Sequence, residues 1–151
     1  MPRKKADISN QLTENMLNAV GVIRAGQKNT FIYVNPTFIK FTGYTEKELL
    51  NMSPFDLVHP DMFEVIVKRF KDRLKGKKVP ERYETKILTK KGETLWAEVF
   101  AKKINYEGIP AVLIVASEIS ERKLAEQELH NMRFLLDSAQ RLAHLGSIEF
   151  E

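Results

Sequence analysis

His59, His130 and His144 are the side chains best suited to hold a metal ion or move a proton near neutrality, and the chain contains no cysteine. The histidines stand 71 and 14 residues apart, a spacing that makes neither a pair of ligands on one helix face nor a Ser/His/Asp arrangement. Without cysteine there can be no disulfide framework, thiolate zinc site, iron–sulfur cluster or cysteine nucleophile. Each histidine is therefore expected to be structural or at the surface. No phosphate-cradling or catalytic motif is present, so the segment reads as non-enzymatic.

Charge is the second source of chemistry, and it is unevenly placed. Between Lys68 and Lys91 eleven Lys and Arg face only Asp72, Glu81 and Glu84, a net of +8 in a chain of net +4, leaving −4 elsewhere. Such a stretch can draw nucleic acid or anionic lipid. With Phe70 and Tyr83 as its only aromatics and no nucleic-acid motif, it reads as a solvated helix face and hairpin, and no nucleic-acid partner is expected. The longest apolar run, 111–116, is far shorter than the roughly 20 residues that span a bilayer, and Met1-Pro2-Arg3-Lys4-Lys5 leads into polar sequence. No membrane segment is expected, and a cytoplasmic setting fits the absence of cysteine. The 151 residues, 43% of them hydrophobic, suit one domain with modest extensions.

The elements that must position these residues follow from periodicity and punctuation. Ile8, Leu12, Met16, Ala19 and Val20 recur at helical spacing and predict an amphipathic N-terminal helix. Two β-rich runs, 20–25 and 30–34, flank Gly26-Gln27-Lys28-Asn29, which predicts a hairpin. Asn35-Pro36 supplies a cap and a first-turn proline, and Thr42-Gly43 a stop; Asn35 is read as that cap and Tyr44 as a core ring with a wet hydroxyl. Thr45-x-x-Glu48 is a capping box for a second short helix, and Ser53-Pro54 starts a third. His59-Pro60-Asp61 opens a longer one, in which Met62, Ile66, Phe70 and Leu74 recur every four residues until Gly76. Three β-rich runs follow, 82–89, 95–104 and 109–117. In the middle one Trp96, Phe100 and Ile104 alternate with Leu95, Val99 and Ala101, so both faces of the sheet carry apolar residues. From Ser120 the pattern is helical, and Ala125, Leu129, Met132, Leu136, Ala139 and Ala143 form a heptad seam weakened by its alanines.

Taken in order, Asn35-Pro36-x-Phe38, Phe41-Thr42-Gly43-Tyr44, Glu46-x-Glu48-Leu49-Leu50, His59-Pro60-Asp61, Lys91-Gly92-x-x-x-Trp96 and Glu118-Ile119-Ser120-Glu121-Arg122-Lys123 resemble the motifs of a PAS domain. The resemblance runs from about Val20 through Lys123. Its last piece is similar to the Asp-Ile-Thr-Glu-Arg-Lys exit motif of the family, the PAC motif, with Glu118 and Ser120 in place of Asp and Thr. Asn51 stands where the family often has Gly. The tail, 135–151, resembles the opening of a further PAS domain.

This resemblance implies an α+β fold: a PAS-like five-stranded antiparallel sheet with short helices on one face, flanked by N-terminal and C-terminal helices. The implied division is a flanking helix at 1–19, the PAS domain at 20–119, a signalling helix at 120–145 and the truncated start of a following domain at 146–151. The implied role is a sensory and dimerisation module of a two-component-type signal-transduction protein. It would relay ligand or conformational state through Glu118, Ser120 and Arg122 to a downstream effector domain of the same longer chain. The alternative is a structural part of an enzyme such as a histidine kinase or nucleotide cyclase. A homodimer is expected through Leu12, Met16, Leu129, Met132 and Leu136. A small-molecule ligand would sit between the sheet and the helices, lined by Phe38, Phe41, Phe55, Met62, Ile66, Phe70, Tyr83 and Trp96, although plain core packing explains the same residues. Arg82 or Lys86 could turn inward toward an acid ligand. Covalent flavin adducts fail for want of cysteine and the long helix offers haem no histidine, which leaves a non-covalent flavin or a small metabolite; no metal is expected. His130 lies on a helix as kinase phosphoacceptors do, but Asn131-Met132-Arg133-Phe134 follows it instead of the acidic residue of the phosphoacceptor box, so it is not expected to be phosphorylated.

Overall fold

The computed structural model describes residues 18–26 and 28–149, the side chains of 145–149 excepted. Most of the expected N-terminal helix, with Leu12 and Met16, lies outside them, and Ala19 and Val20, read as its last apolar positions, belong instead to the first strand. Strands β1 (Ala19–Arg24) and β2 (Phe31–Val34) form the expected hairpin, with a register shift between Val22 and Ile23. Helix α1 (Pro36–Thr42) starts where Asn35 Oδ1 accepts the Phe38 N–H, and it stops at Gly43, whose φ of 81° is a left-handed conformation that glycine takes without a Cβ clash. Helix α2 (Glu46–Leu50) carries the complete Thr45/Glu48 capping box. Its C-cap, Asn51, has a φ of −110°, so the turn needs no glycine, and its Nδ2 donates to the Lys47 carbonyl at 2.8 Å.

Two of the helix starts expected from Ser53-Pro54 and His59-Pro60 give short 3-10 turns, Pro54–Leu57 and Pro60–Met62, before helix α3 (Phe63–Leu74). Each proline supplies a fixed φ at a first turn, and each turn is capped locally: Ser53 Oγ accepts the Phe55 N–H at 3.3 Å and His59 Nδ1 accepts the Asp61 N–H at 3.1 Å. Strands β3 (Arg82–Leu88), β4 (Thr94–Tyr106) and β5 (Ile109–Glu118) follow, and the sheet order is β2-β1-β5-β4-β3 with every neighbouring pair antiparallel. This is the α+β architecture expected. The second strand thus lies at one edge and the third at the other, with the last strand next to the first. A final helix, α4 (Ser120–Glu149), begins two residues after β5 and forms a separate unit with Ile119.

The core of the first unit sits on one face of the sheet. Ala19, Ile23, Val99, Val112 and Ala116 point to it, and Phe38, Leu49, Leu57 and Phe70 come down from the helical side. Gly21 allows the closest approach, since a Cβ there would stand 3.0 Å from the Phe31 ring and 3.2 Å from the Phe38 ring. Those two rings meet edge to face at 5.1 Å over it.

Candidate functional site

The inward residues of the long strands are small or slim, Ala97, Val99, Ala101 and Ala116 being almost fully buried, and small residues leave space where a helical layer spans a curved sheet. A cavity of about 90 Å³ remains between the sheet and the helical segment. Phe38, Phe41, Phe55, Ile66, Phe70 and Tyr83 line it, six of the eight side chains expected there. Phe55 packs edge to face on Phe70 at 5.3 Å and on Phe63 at 6.4 Å, fixing one end of the wall.

Met62 and Trp96 are not part of the lining. Met62 ends the 3-10 turn before α3 and is half-buried; three residues per turn take it off the α-helical stripe, which begins at Ile66. Trp96 belongs to the other face of β4, because Ala97, Val99 and Ala101 turn inward and alternation sends Trp96 and Phe100 outward. There Lys86 Nζ lies 5.3 Å from the indole ring and 3.4 Å from Asp61 Oδ2. Of the two cations that the strand leaves free to turn inward, neither does so: Lys86 stays on that outer face and Arg82 is exposed.

The cation on the cavity wall is Arg73, in the middle of the stretch read as a solvated face. It is only 7% exposed, its Nη2 donates to the Pro80 carbonyl at 2.7 Å, and its Nε is buried with no partner among the described residues. Burial lowers its pKa, the Tyr83 hydroxyl beside it acts in the opposite sense, Arg69 adds to the lowering and Glu81 counters it. Thr85, on β3 and 4% exposed, also lines the cavity with its hydroxyl unpartnered. The third polar side chain of the wall, Thr42, is satisfied, its Oγ1 donating to the Phe38 carbonyl at 3.0 Å. Tyr83, half-buried, lines the cavity with them; burial raises its pKa, against the pull of Arg73 and Arg69, and the Arg69 guanidinium sits 5.1 Å from the ring centroid. The signal for Arg73 was present in the sequence, since Ile66, Phe70 and Arg73 follow i, i+4, i+7 along one helix face.

Other parts of the basic stretch have intramolecular partners. Lys90 Nζ reaches both carboxylate oxygens of Glu48 at 2.9 Å and lies 5.9 Å from the Tyr44 ring, and Lys77 stands 3.9 Å from Asp72. His59 is a helix cap, and His130 and His144 are exposed on α4. Among the described residues no three His, Asp or Glu side chains gather as a metal site. Of the residues expected to relay a signal, Glu118 is the exposed last residue of β5, Ser120 the first of α4, and Arg122 pairs with Glu126 at 3.8 Å along that helix. The seam residues Leu129, Met132 and Leu136 are 50%, 60% and 58% exposed.

A family model described as PAS fold matches residues 31–116. Among relatives, a sensor histidine kinase, TmoS, of Ectopseudomonas mendocina is 27% identical over 131 residues, which are 85% of this chain and 14% of that protein. A methyl sulfide methyltransferase-associated sensor of Methanosarcina acetivorans is 29% identical over 115 residues, 74% of this chain and 11% of that protein. The chain thus spans about one-seventh or less of the relatives it matches. Among solved structures, the PAS domain of an HTR-like protein from Haloarcula marismortui superposes with a TM-score of 0.62 and 25% identity, covering 78% of this chain and 93% of that one.

Proposed function

The chain belongs to the PAS fold family of sensory signalling modules, and on that premise we propose that it senses through its interior cavity and passes the change along α4 to an effector elsewhere in a longer protein. The observation that carries this reading is the direct run from β5 into α4: Ala116 touches the cavity, Glu118 ends the strand, and Ser120 begins a helix of 30 residues. A ligand that moved the wall would load the strand from which that helix starts. The tail beyond 145 continues α4 to Glu149, and a following domain there belongs to the proposal.

The relay requires a partner for α4. Leu129, Met132 and Leu136 are exposed at heptad spacing, and pairing with a second copy covers them while keeping two identical helices in register. The cavity, at about 90 Å³, lies below the roughly 300–1,000 Å³ of sites for larger ligands, which favours a small metabolite over a flavin.

The chain has no cysteine, so Met132→Cys gives it a single thiol. A parallel pair brings the two copies of position 132 together, and oxidation is expected to give a covalent dimer, whereas a cysteine at an outward position such as Gln127 gives little. Equal cross-linking at both positions, or none at either, overturns the parallel seam. Nucleotide turnover by this chain would overturn the non-enzymatic assignment.

A further inference from the structure

We propose that the interior cavity binds a short-chain monocarboxylate, its carboxylate accepting from the Arg73 Nε–H and the Thr85 hydroxyl and its alkyl chain lying against Phe38, Phe55 and Phe70. This rests on the sensory reading above and names the class of molecule sensed. Two polar atoms on the cavity wall are buried without a partner among the described residues, and both can donate to an anion. Native interiors rarely leave such groups unsatisfied, because each costs free energy on burial.

The charge selects the ligand's sign. Arg73 is 7% exposed and its one hydrogen bond is to a neutral carbonyl, that of Pro80. Glu81 acts on it only at a distance; a buried guanidinium that no carboxylate bonds among the described residues is the arrangement that a ligand carboxylate completes, and a charge-assisted bond to it is stronger than one to an amide. The remaining wall is aromatic and aliphatic apart from Thr42, whose hydroxyl is already used, and the phenol of Tyr83 beside Arg73. The ligand must therefore be polar at one end and apolar along its length. Its size is limited as well: about 90 Å³ lies well below the roughly 300–1,000 Å³ of sites for drug-sized ligands, which suits a few carbons and excludes acids of cofactor size.

Butyrate is the probe, with butyramide as its neutral match in shape. Titration of the 151-residue chain is read by the Arg73 Nε–H and Thr85 amide resonances and by calorimetry. Butyrate is expected to shift both resonances and butyramide to bind at least tenfold more weakly. Thr85→Val removes an unsatisfied hydroxyl, so the variant is expected to fold at least as stably as the parent while binding butyrate about tenfold more weakly. Arg73→Gln is expected to abolish the preference for butyrate. Equal binding of butyrate and butyramide, unchanged affinity in Thr85→Val, or no response to butyrate at millimolar concentration each overturns the proposal. The cysteine cross-link at position 132 is read without ligand, so butyrate can fail while the relay stands, and the relay can fail while butyrate binds.

Discussion

Asn35 ties three parts of the chain with one amide. It is fully buried; its Oδ1 accepts from the Val20 N–H at 2.9 Å and the Phe38 N–H at 3.0 Å, and its Nδ2 donates to the Asn18 carbonyl at 3.0 Å. Asn18 in turn accepts from Ser117 Oγ at 2.9 Å, so the start of α1, β1 and β5 meet at this residue. Asn35→Ala leaves buried donors and a carbonyl unpaired and is expected to cost about 2–4 kcal/mol in urea unfolding. Asn35→Asp keeps the shape and both accepted bonds and is expected to lose less; equal losses would show that the donated Nδ2–H bond to Asn18, which both variants lack, carries the effect. Sequence reading found the cap, because Asn-Pro before an apolar run is a local signal. It could not find the bonds to Val20 and Asn18, which depend on how distant strands come together. A second residue-scale effect is electrostatic. Glu48 has its pKa lowered from 4.5, first by the hydrogen bond from Lys90, then by the Thr45 backbone. A carboxyl whose folded pKa lies below its unfolded one stabilises the protein fully above the unfolded value, and that contribution fades as pH falls through the folded value. Unfolding midpoints of the parent are therefore expected to fall more steeply than those of Glu48→Gln from about pH 5 to about pH 3, and parallel curves would contradict this.

Elements were legible where punctuation is local and illegible where depth decides. Gly43, the Thr45/Glu48 box and the hairpin pairs β1–β2, β3–β4 and β4–β5 have short-range causes, whereas the pairing of β1 with β5 does not. The 3-10 turns at Pro54–Leu57 and Pro60–Met62 do not, since proline and a cap start an α-helix and a 3-10 turn alike. Met62 was placed on the cavity for that reason. Trp96 was misplaced differently: its strand is apolar on both faces, so alternation gives two sets of residues and no rule for which set faces the helices. The small set does, because Ala97 and Ala101 leave room for the helical layer. Arg73 was hidden among surface lysines, although its register with Ile66 and Phe70 marks it as inward. At this scale Gly43→Ala is expected to cost about 1–2 kcal/mol, the strain of a Cβ in the left-handed region, because φ there is 81° and the nearest foreign atom, Lys90 Cβ at 3.7 Å, is no obstacle. A loss near zero in thermal unfolding would mean that the turn re-forms with negative φ.

For the whole molecule, the decisive contrast is between a unit that closes its own core and a helix that does not. The unit up to Glu118 buries a continuous cluster from Ala19 to Ala116. On α4, by contrast, Leu124, Leu129, Met132, Phe134, Leu135, Leu136 and Leu142 are all at least half exposed, more apolar surface than an isolated helix keeps in water. Ion pairs such as Lys123 with Glu126 at 3.6 Å add little on an exposed helix. Pairing of two helices is therefore expected to supply what the single chain lacks, and the alanines at 125, 139 and 143 should leave that pairing weak. Leu129→Lys with Leu136→Lys puts two charges on the seam of each copy. In sedimentation the parent is expected to pass from monomer to dimer with rising concentration, and the double variant to stay monomeric. Because the sheet has its own core, near-ultraviolet circular dichroism from Trp96 should be the same in both. A double variant that still dimerises would place the interface elsewhere, and one that loses the Trp96 signal would show that the sheet depends on the helix pair for its fold.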